Sequence, residues 1–288
     1  MTAALPELKA PFVRGDADAL RAAFVVPPTQ GIATVAPMHG ESHAIAQRAG
    51  EQFAVFTSRL AAAGVKVAVP ESEPGRLGSL CADLAVIFPG GAFMMRPSDL
   101  RRRTEVMAVE AALGRAGVAV VGRIESPGLL DGGDVLRAGD NVFIGVPRQR
   151  RAEVGIPVSV HGNSLGREQL AAYARAANLK VVEVAMNADV LRLRSVASLV
   201  DAETLVYAPG VLDGSVFAGL KLIEAPRGED YGAGVLTLAP RRVLANLRFR
   251  QATPLLRKAK IAVESIDLWE FGRLGITPSL LALALKRE

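Results

Sequence analysis

The amino-acid sequence predicts one α/β domain, built from a strand–strand–helix–strand unit repeated along the chain and arrayed around an axis. Three observations carry this expectation. The unit recurs about every 50 to 60 residues, a repeat length that points to arrayed units. Turn signals such as Pro89-Gly90-Gly91 and Gly139-Asp140 join paired apolar runs, as hairpins require. Runs such as Leu84-Ala85-Val86-Ile87-Phe88 are apolar on both faces, which suits strands buried on both sides. The helices are then expected on the outside and the strand ends at the centre, a natural place for a ligand pocket.

The first unit has a single leading strand, and the units after it share the two-strand, helix, strand order. The first has an apolar strand over 22–26, a Pro/Gly loop, a helix over about 43–63 and a strand at 65–69. The second pairs 83–88 with 92–96, then places a helix over about 99–116 with Ser98 or Asp99 as N-cap. Gly117 closes that helix and a strand follows at 118–121. The third pairs 134–137 with 142–146, followed by a helix at about 167–178 and a strand at 180–184. The fourth pairs 193–199 with 204–207, then has a short helical piece near 215–220 and a strand at 222–225. The fifth pairs 235–238 with 243–245, then a helix near 254–259 and a strand at 262–267. The apolar stretch 278–286 is expected to return a strand to the first unit.

Composition excludes several classes. The chain has 288 residues, 50% of them hydrophobic, enough for a large core. Cys81 is the single cysteine, so no disulfide framework exists within the chain and a reducing compartment is expected. The histidines are His39, His43 and His161, little material for a metal centre; no metal and no cofactor are expected. The net charge is +5, densest at Arg101, Arg102 and Arg103 and again at Arg148, Arg150 and Arg151. No aromatic side chains interleave with these runs, so they read as solvated helix starts and loop faces, not a nucleic-acid surface. Pro6, Pro11, Arg14 and three acids break the first 20 residues, unlike an apolar signal core. The longest apolar stretches fall well short of the ~20 residues of a membrane span. The chain reads as cytoplasmic.

The motifs point further. They comprise Asp83-Leu84-Ala85-Val86-Ile87, Arg96-Pro97 with Arg102-Arg103-Thr104-Glu105, and Ile124-Glu125-Ser126-Pro127-Gly128 leading into Leu129-Leu130-Asp131-Gly132-Gly133-Asp134. Leu193-Arg194-Ser195, Gly234-Val235-Leu236-Thr237-Leu238 and Ile266-Asp267-Leu268-Trp269-Glu270-Phe271 follow in order. In this order the chain resembles, over nearly its whole length, the dimethylarginine dimethylaminohydrolase branch of the arginine deiminase and amidinotransferase superfamily. The resemblance implies the pentein fold, a five-bladed α/β-propeller. It also implies a chemistry on amidino groups. A thiolate attacks the guanidinium carbon, a His protonates the leaving amine and later activates water, and carboxylates hold the planar cation through paired N–H bonds.

At the positions which that chemistry needs, this sequence departs from the family. The Cys of the family's C-terminal Thr-Cys element is replaced: Thr277 is followed by Pro278 and Ser279. The family's His-Leu-Lys-Ser element reads Arg192-Leu193-Arg194-Ser195, and arginine, with a pKa above ~12, is no proton shuttle near neutral pH. Ala82 and Leu77 stand where the family has acids, and the arginine that fixes the substrate's α-carboxylate falls at Gln149. Asp83, Arg96, Asp131 and Asp134 remain.

Each candidate has a plain structural reading beside the functional one. Asp131 is the surviving catalytic candidate, and both it and Asp134 can equally brace a Gly-Gly turn. Asp83 opens a buried strand, and Arg192 faces either the pocket or solvent. Cys81 reads as a small buried hydrophobe. Ser279 is a ligand-binding candidate with no visible base. His39, with Glu41 and His43, lies in a loop that by resemblance covers the pocket mouth. Three functions stay open. One is a non-catalytic protein binding a small molecule, anionic by the direction of the substitutions. Another is a hydrolase of altered chemistry on a C–N bond. The third is a structural subunit of an oligomer.

Overall fold

The computed structural model describes residues 13–38, 40–70, 75, 77–148, 162–187 and 189–288. Its strands form five three-stranded sheets. The chain enters through β1 (Leu20–Phe24), helix α1 (Ala46–Ala62) and β2 (Lys66–Ala68). The next unit is β3 (Ala85–Phe88), β4 (Gly91–Met94), α2 (Arg103–Arg115) and β5 (Val120–Arg123). The third is β6 (Val135–Ala138), β7 (Asn141–Pro147), α3 (Ser164–Ala176) and β8 (Lys180–Met186). A short turn α4 (Leu193–Val196) leads into β9 (Ala197–Asp201), β10 (Thr204–Tyr207) and β11 (Lys221–Glu224). The fifth unit has β12 (Leu236–Ala239), β13 (Arg242–Asn246), α5 (Ala252–Lys258) and β14 (Ala262–Ile266). After the turn α6 (Trp269–Gly272), β15 (Leu283–Arg287) ends the chain's regular structure.

Every sheet has one plan: the inner strand is antiparallel to the middle strand, and the middle strand is parallel to the outer one. The first blade takes its inner strand from the far end of the chain. β15 pairs antiparallel with β1, which pairs parallel with β2. The expected return of the C-terminal stretch to the first unit is therefore what closes the ring. Burial explains the sequence pattern. The inner strands β3 and β6 are buried at every residue, whereas the outer strand β11 (Lys221–Glu224) is almost wholly exposed. Inner strands carry continuous apolar runs because neighbouring blades cover both their faces. The helices lie outside. α1 buries Ala49, Phe53, Phe56 and Leu60, one stripe at helical spacing.

Expected strands are corrected where they ran into turns: Asp83 lies in a turn and its strand begins at Ala85, and 278–280 make a turn ahead of the strand Leu283–Arg287. Residues 193–199 do not form a continuous strand; 193–196 make the turn α4 and the strand begins at Ala197. The Asp134 carboxylate causes this: its Oδ1 accepts the Leu193 amide at 3.0 Å, satisfying a donor at the start of the turn. The same device recurs. Short helical turns Cys81–Asp83, Gly132–Asp134, Leu193–Val196, Asp230–Ala233 and Pro278–Leu280 precede the inner strands of the five blades. These turns meet at one end of the axis. Among the described residues no helix is long and apolar enough to cross a membrane.

Candidate functional site

Asp83 is the hub of the layer of turns. It is fully buried, and two guanidiniums converge on it. Arg102 Nη1 lies 2.6 Å from its Oδ2. Arg192 donates from Nε to Oδ1 and Oδ2 at 3.0 and 3.1 Å, and its Nη2 stands 3.0 Å from Oδ2. The Gly133 amide donates to Oδ1 at 3.1 Å. Burial opposes ionisation of Asp83, but the charges of Arg192 and Arg102 outweigh it and hold the carboxyl below the usual range. Arg102 is itself clamped by Glu105 at 2.9 Å and by the Leu80 carbonyl at 3.0 Å.

Asp131 completes the cluster. Arg192 Nη2 lies 3.0 Å from its Oδ1, an ion contact outside hydrogen-bond geometry, and Ser98 Oγ donates to its Oδ2 at 2.9 Å. Burial pushes the Asp131 carboxyl up to about 6; Arg192 pulls against this and Asp83 adds to it. The asymmetry has a geometric cause. Arg192 gives its well-aligned Nε–H to Asp83, and Asp131 receives only the Nη2 charge without alignment. The Arg192 side chain is only 5% exposed, its charge favoured by Asp131 and Asp83 despite burial. Its Nη1 donates to its own neighbour, the Leu191 carbonyl, at 2.7 Å. Hence Asp83, Asp131 and Arg192 come together in one buried ion network. Asp134 stands beside it as the cap of α4.

The other candidates divide. Arg96 is half-buried and its Nη1 donates to the Gly128 carbonyl at 3.0 Å, so it braces the approach to the Gly-Gly turn. Thr277, Pro278 and Ser279 are buried. Ser279 Oγ donates to the Arg194 carbonyl at 2.7 Å and lies 3.0 Å from Thr277 Oγ1, with no base in that pair. The Cys81 thiol is fully buried and donates to the Phe24 and Leu281 carbonyls at 3.3 and 3.4 Å. Burial pushes that thiol up to about 12, far from a thiolate at neutral pH. His39, His161, Gln149, Arg150 and Arg151 lie outside the described residues. Glu41 pairs with Arg248, and His43 Nδ1 is 3.1 Å from the Val35 carbonyl. Among the described residues no group of His, Cys, Asp and Glu could hold a metal ion.

Sequence reasoning missed Arg102 and Glu105. Arg102 reads as part of a solvated basic run, yet it is 3% exposed and central. The signal was its i, i+3 spacing to Glu105 at a helix start, which lets the two side chains meet on one face.

No family model matches the chain. A dimethylarginine dimethylaminohydrolase of Streptomyces coelicolor is 31% identical over 205 residues, 71% of this chain and 72% of that protein. A dimethylarginine dimethylaminohydrolase of Pseudomonas aeruginosa is 26% identical over 192 residues, 67% of this chain and 70% of that protein. Among solved structures, the Pseudomonas aeruginosa enzyme complexed with citrulline superposes with a TM-score of 0.78 at 20% identity, over 92% of this chain and 99% of that one. The amidinotransferase SxtG of Microseira wollei gives 0.78 at 15% identity, over 96% and 97%. Similarity at these identities shows the fold: five mixed three-stranded sheets with helices, the pentein architecture. By its similarity to the Streptomyces relative, the chain, folded as a pentein propeller, belongs to the dimethylarginine dimethylaminohydrolase family.

Proposed function

We propose that this protein is a non-catalytic member of its family, whose axial site is closed by its own arginine. One observation carries the reading: the Arg192 guanidinium lies against Asp83 and Asp131. Paired contacts between a planar cation and carboxylates are the way a guanidinium substrate would be held. Here the cation belongs to the chain, and all three residues are at most 4% exposed. The residues of the site agree with that reading. Cys81 is an inert buried thiol, Ser279 has no base beside it, and an arginine stands at the position where the family has its His. The site thus acts as a scaffold for a surface role, and the free anion pocket inferred from charge gives way, because Arg192 is engaged.

The Asp131 carboxyl, pushed up to about 6, favours a second reading: a residual acid in a hydrolase of altered chemistry. One assay separates the two. The full chain is incubated with arginine, N-methylarginine and dimethylarginine, and citrulline and released amines are quantified. No product above the blank is expected, and no ligand among these should raise the melting temperature. Product that vanishes in Asp131→Asn overturns the non-catalytic reading in favour of the second.

A further inference from the structure

Behind the layer of turns the axis holds a second polar cluster, separate from Asp83 and Asp131. Arg137 enters it from β6, Arg194 from α4 and Arg287 from β15. Arg137 and Arg287 are 2% and 1% exposed, and the Arg194 side chain is 13% exposed. One carboxylate reaches the cluster. Asp16 Oδ1 lies 3.3 Å from Arg194 Nη1, and its Oδ2 accepts the Arg137 backbone amide at 2.8 Å. Arg287 forms no ion pair among the described residues. Its Nη1 donates to the Asp18 and Thr237 carbonyls at 2.7 and 2.8 Å. Burial pushes its pKa down to about 10, a cation short of counter-charge.

Donors remain over. The Nε atoms of Arg137, Arg194 and Arg287 and the Ser198 hydroxyl are buried without a hydrogen-bond partner among the described residues. Two small cavities adjoin them. One, of about 20 Å³, is lined by Asp16, Arg137 and Arg194; the other, of about 10 Å³, by Asp16, Arg194, Ser198 and Arg287. We propose that this cluster binds one small monovalent inorganic anion of the halide class, between Arg194 and Arg287, with Ser198 Oγ as a neutral donor.

Size, geometry and charge select that class. The cavities are about the size of a single water, too small for a carboxylate, phosphate or sulfate. The Arg287 Nη1 is committed to backbone carbonyls and the Arg194 Nη1 to Asp16, which takes the end-on Nη1/Nη2 fork of each out of use and leaves the partnerless Nε–H as the buried donor. Three fixed cations against one contacting carboxylate leave room for more negative charge at low dielectric. The site is independent of the proposed function and stands if that reading fails.

Bromide is the probe. Crystals of the full chain grown in sodium bromide should show an anomalous peak between Arg194, Arg287 and Ser198. Melting curves are compared in chloride, bromide and gluconate at matched ionic strength, gluconate being too large to enter. A halide that binds the native state should raise Tm by about 2 °C or more over gluconate. Arg287→Met should abolish that difference; should it not fold, Ser198→Ala, which removes one donor, should reduce it. Water alone at the cluster overturns the proposal. So do equal melting temperatures in halide and gluconate, a halide rise unchanged in the variants, or a bromide peak with no effect on Tm, which marks an adventitious ion only.

Discussion

Asp83 neutralises two arginines at once, and that makes it the most sensitive single residue of the layer of turns. Removing one partner of a buried ion network leaves the other charges uncompensated, which typically costs about 3–5 kcal/mol. Asp83→Asn leaves Arg102 with Glu105 alone and Arg192 with Asp131 alone, so urea unfolding should show a loss in that range. Glu203→Gln breaks a pair whose side chains are 76% and 73% exposed, and should change the midpoint immeasurably. Asp131 predicts a distinct pH signature. Its carboxyl is pushed from 3.8 up to about 6, so the native state holds a proton that the unfolded chain releases. Stability should therefore fall as pH rises from about 4 to about 6 and level off above. Asp83, held low, acts the other way, only below pH 3.8. Stability curves of wild type and Asp131→Asn across pH 4 to 7 check this; a decline of equal size in both proteins would assign it to another group. At this scale the sequence was half legible. The motif order placed Asp83, Asp131 and Arg192 together, but nothing local revealed whether Arg192 faced solvent. Its direction is set by Asp83, 109 residues away in sequence.

The elements that hold this network are single helical turns, and glycine makes them possible. A Cβ on Gly132 would meet the Ala82 carbonyl oxygen at 2.3 Å, a backbone atom that cannot step aside. On Gly133 the Cβ would meet Asp83 Oδ1 at 2.4 Å and Arg192 Cγ at 2.8 Å, both on side chains. Overpacking of this kind commonly costs about 1–3 kcal/mol. Gly132→Ala should then be the worse of the two, with Gly133→Ala disturbing the ion network more than the fold. Melting temperatures of both, alongside the pH dependence above, distinguish them; Gly133→Ala being the less stable protein would contradict the assignment. These turns were also where element reading failed. Periodicity located every strand pair, because inner strands are covered on both faces, but it merged turn and strand at 83–88 and 278–286 and, most fully, over 193–199. The deciding interaction was the Asp134 carboxylate on the Leu193 amide, a long-range cap invisible to a local window.

For the whole molecule, the consequence of the propeller is closure. Its first blade lacks an inner strand until β15 returns from the other end of the chain. β15 brings the buried Leu283, Leu285 and Arg287, and adjoins β1 on one side and β3 on the other. The repeat in the sequence announced the two-strand, helix, strand unit, the resemblance supplied the count of five, and the apolar tail announced the return strand. What it did not announce was the charge along the axis, since Arg137, Arg194 and Arg287 sit in three separate segments that only ring closure assembles. Truncation after Ala282 tests how much the ring depends on that strand. It exposes the inner edge of β1, leaves the two-stranded remnant β1–β2 to a marginal existence and deletes the Arg287 bonds to Asp18 and Thr237. A sheet ring with a missing inner strand loses its core contact to both neighbouring blades, so the loss should spread beyond the first blade. The truncated chain is expected to lose its single cooperative transition in urea and to gain an early phase followed by near-UV CD. If it instead unfolds in one step at nearly the same urea midpoint as the full chain, the four remaining blades are self-sufficient and closure is not what holds the axis together.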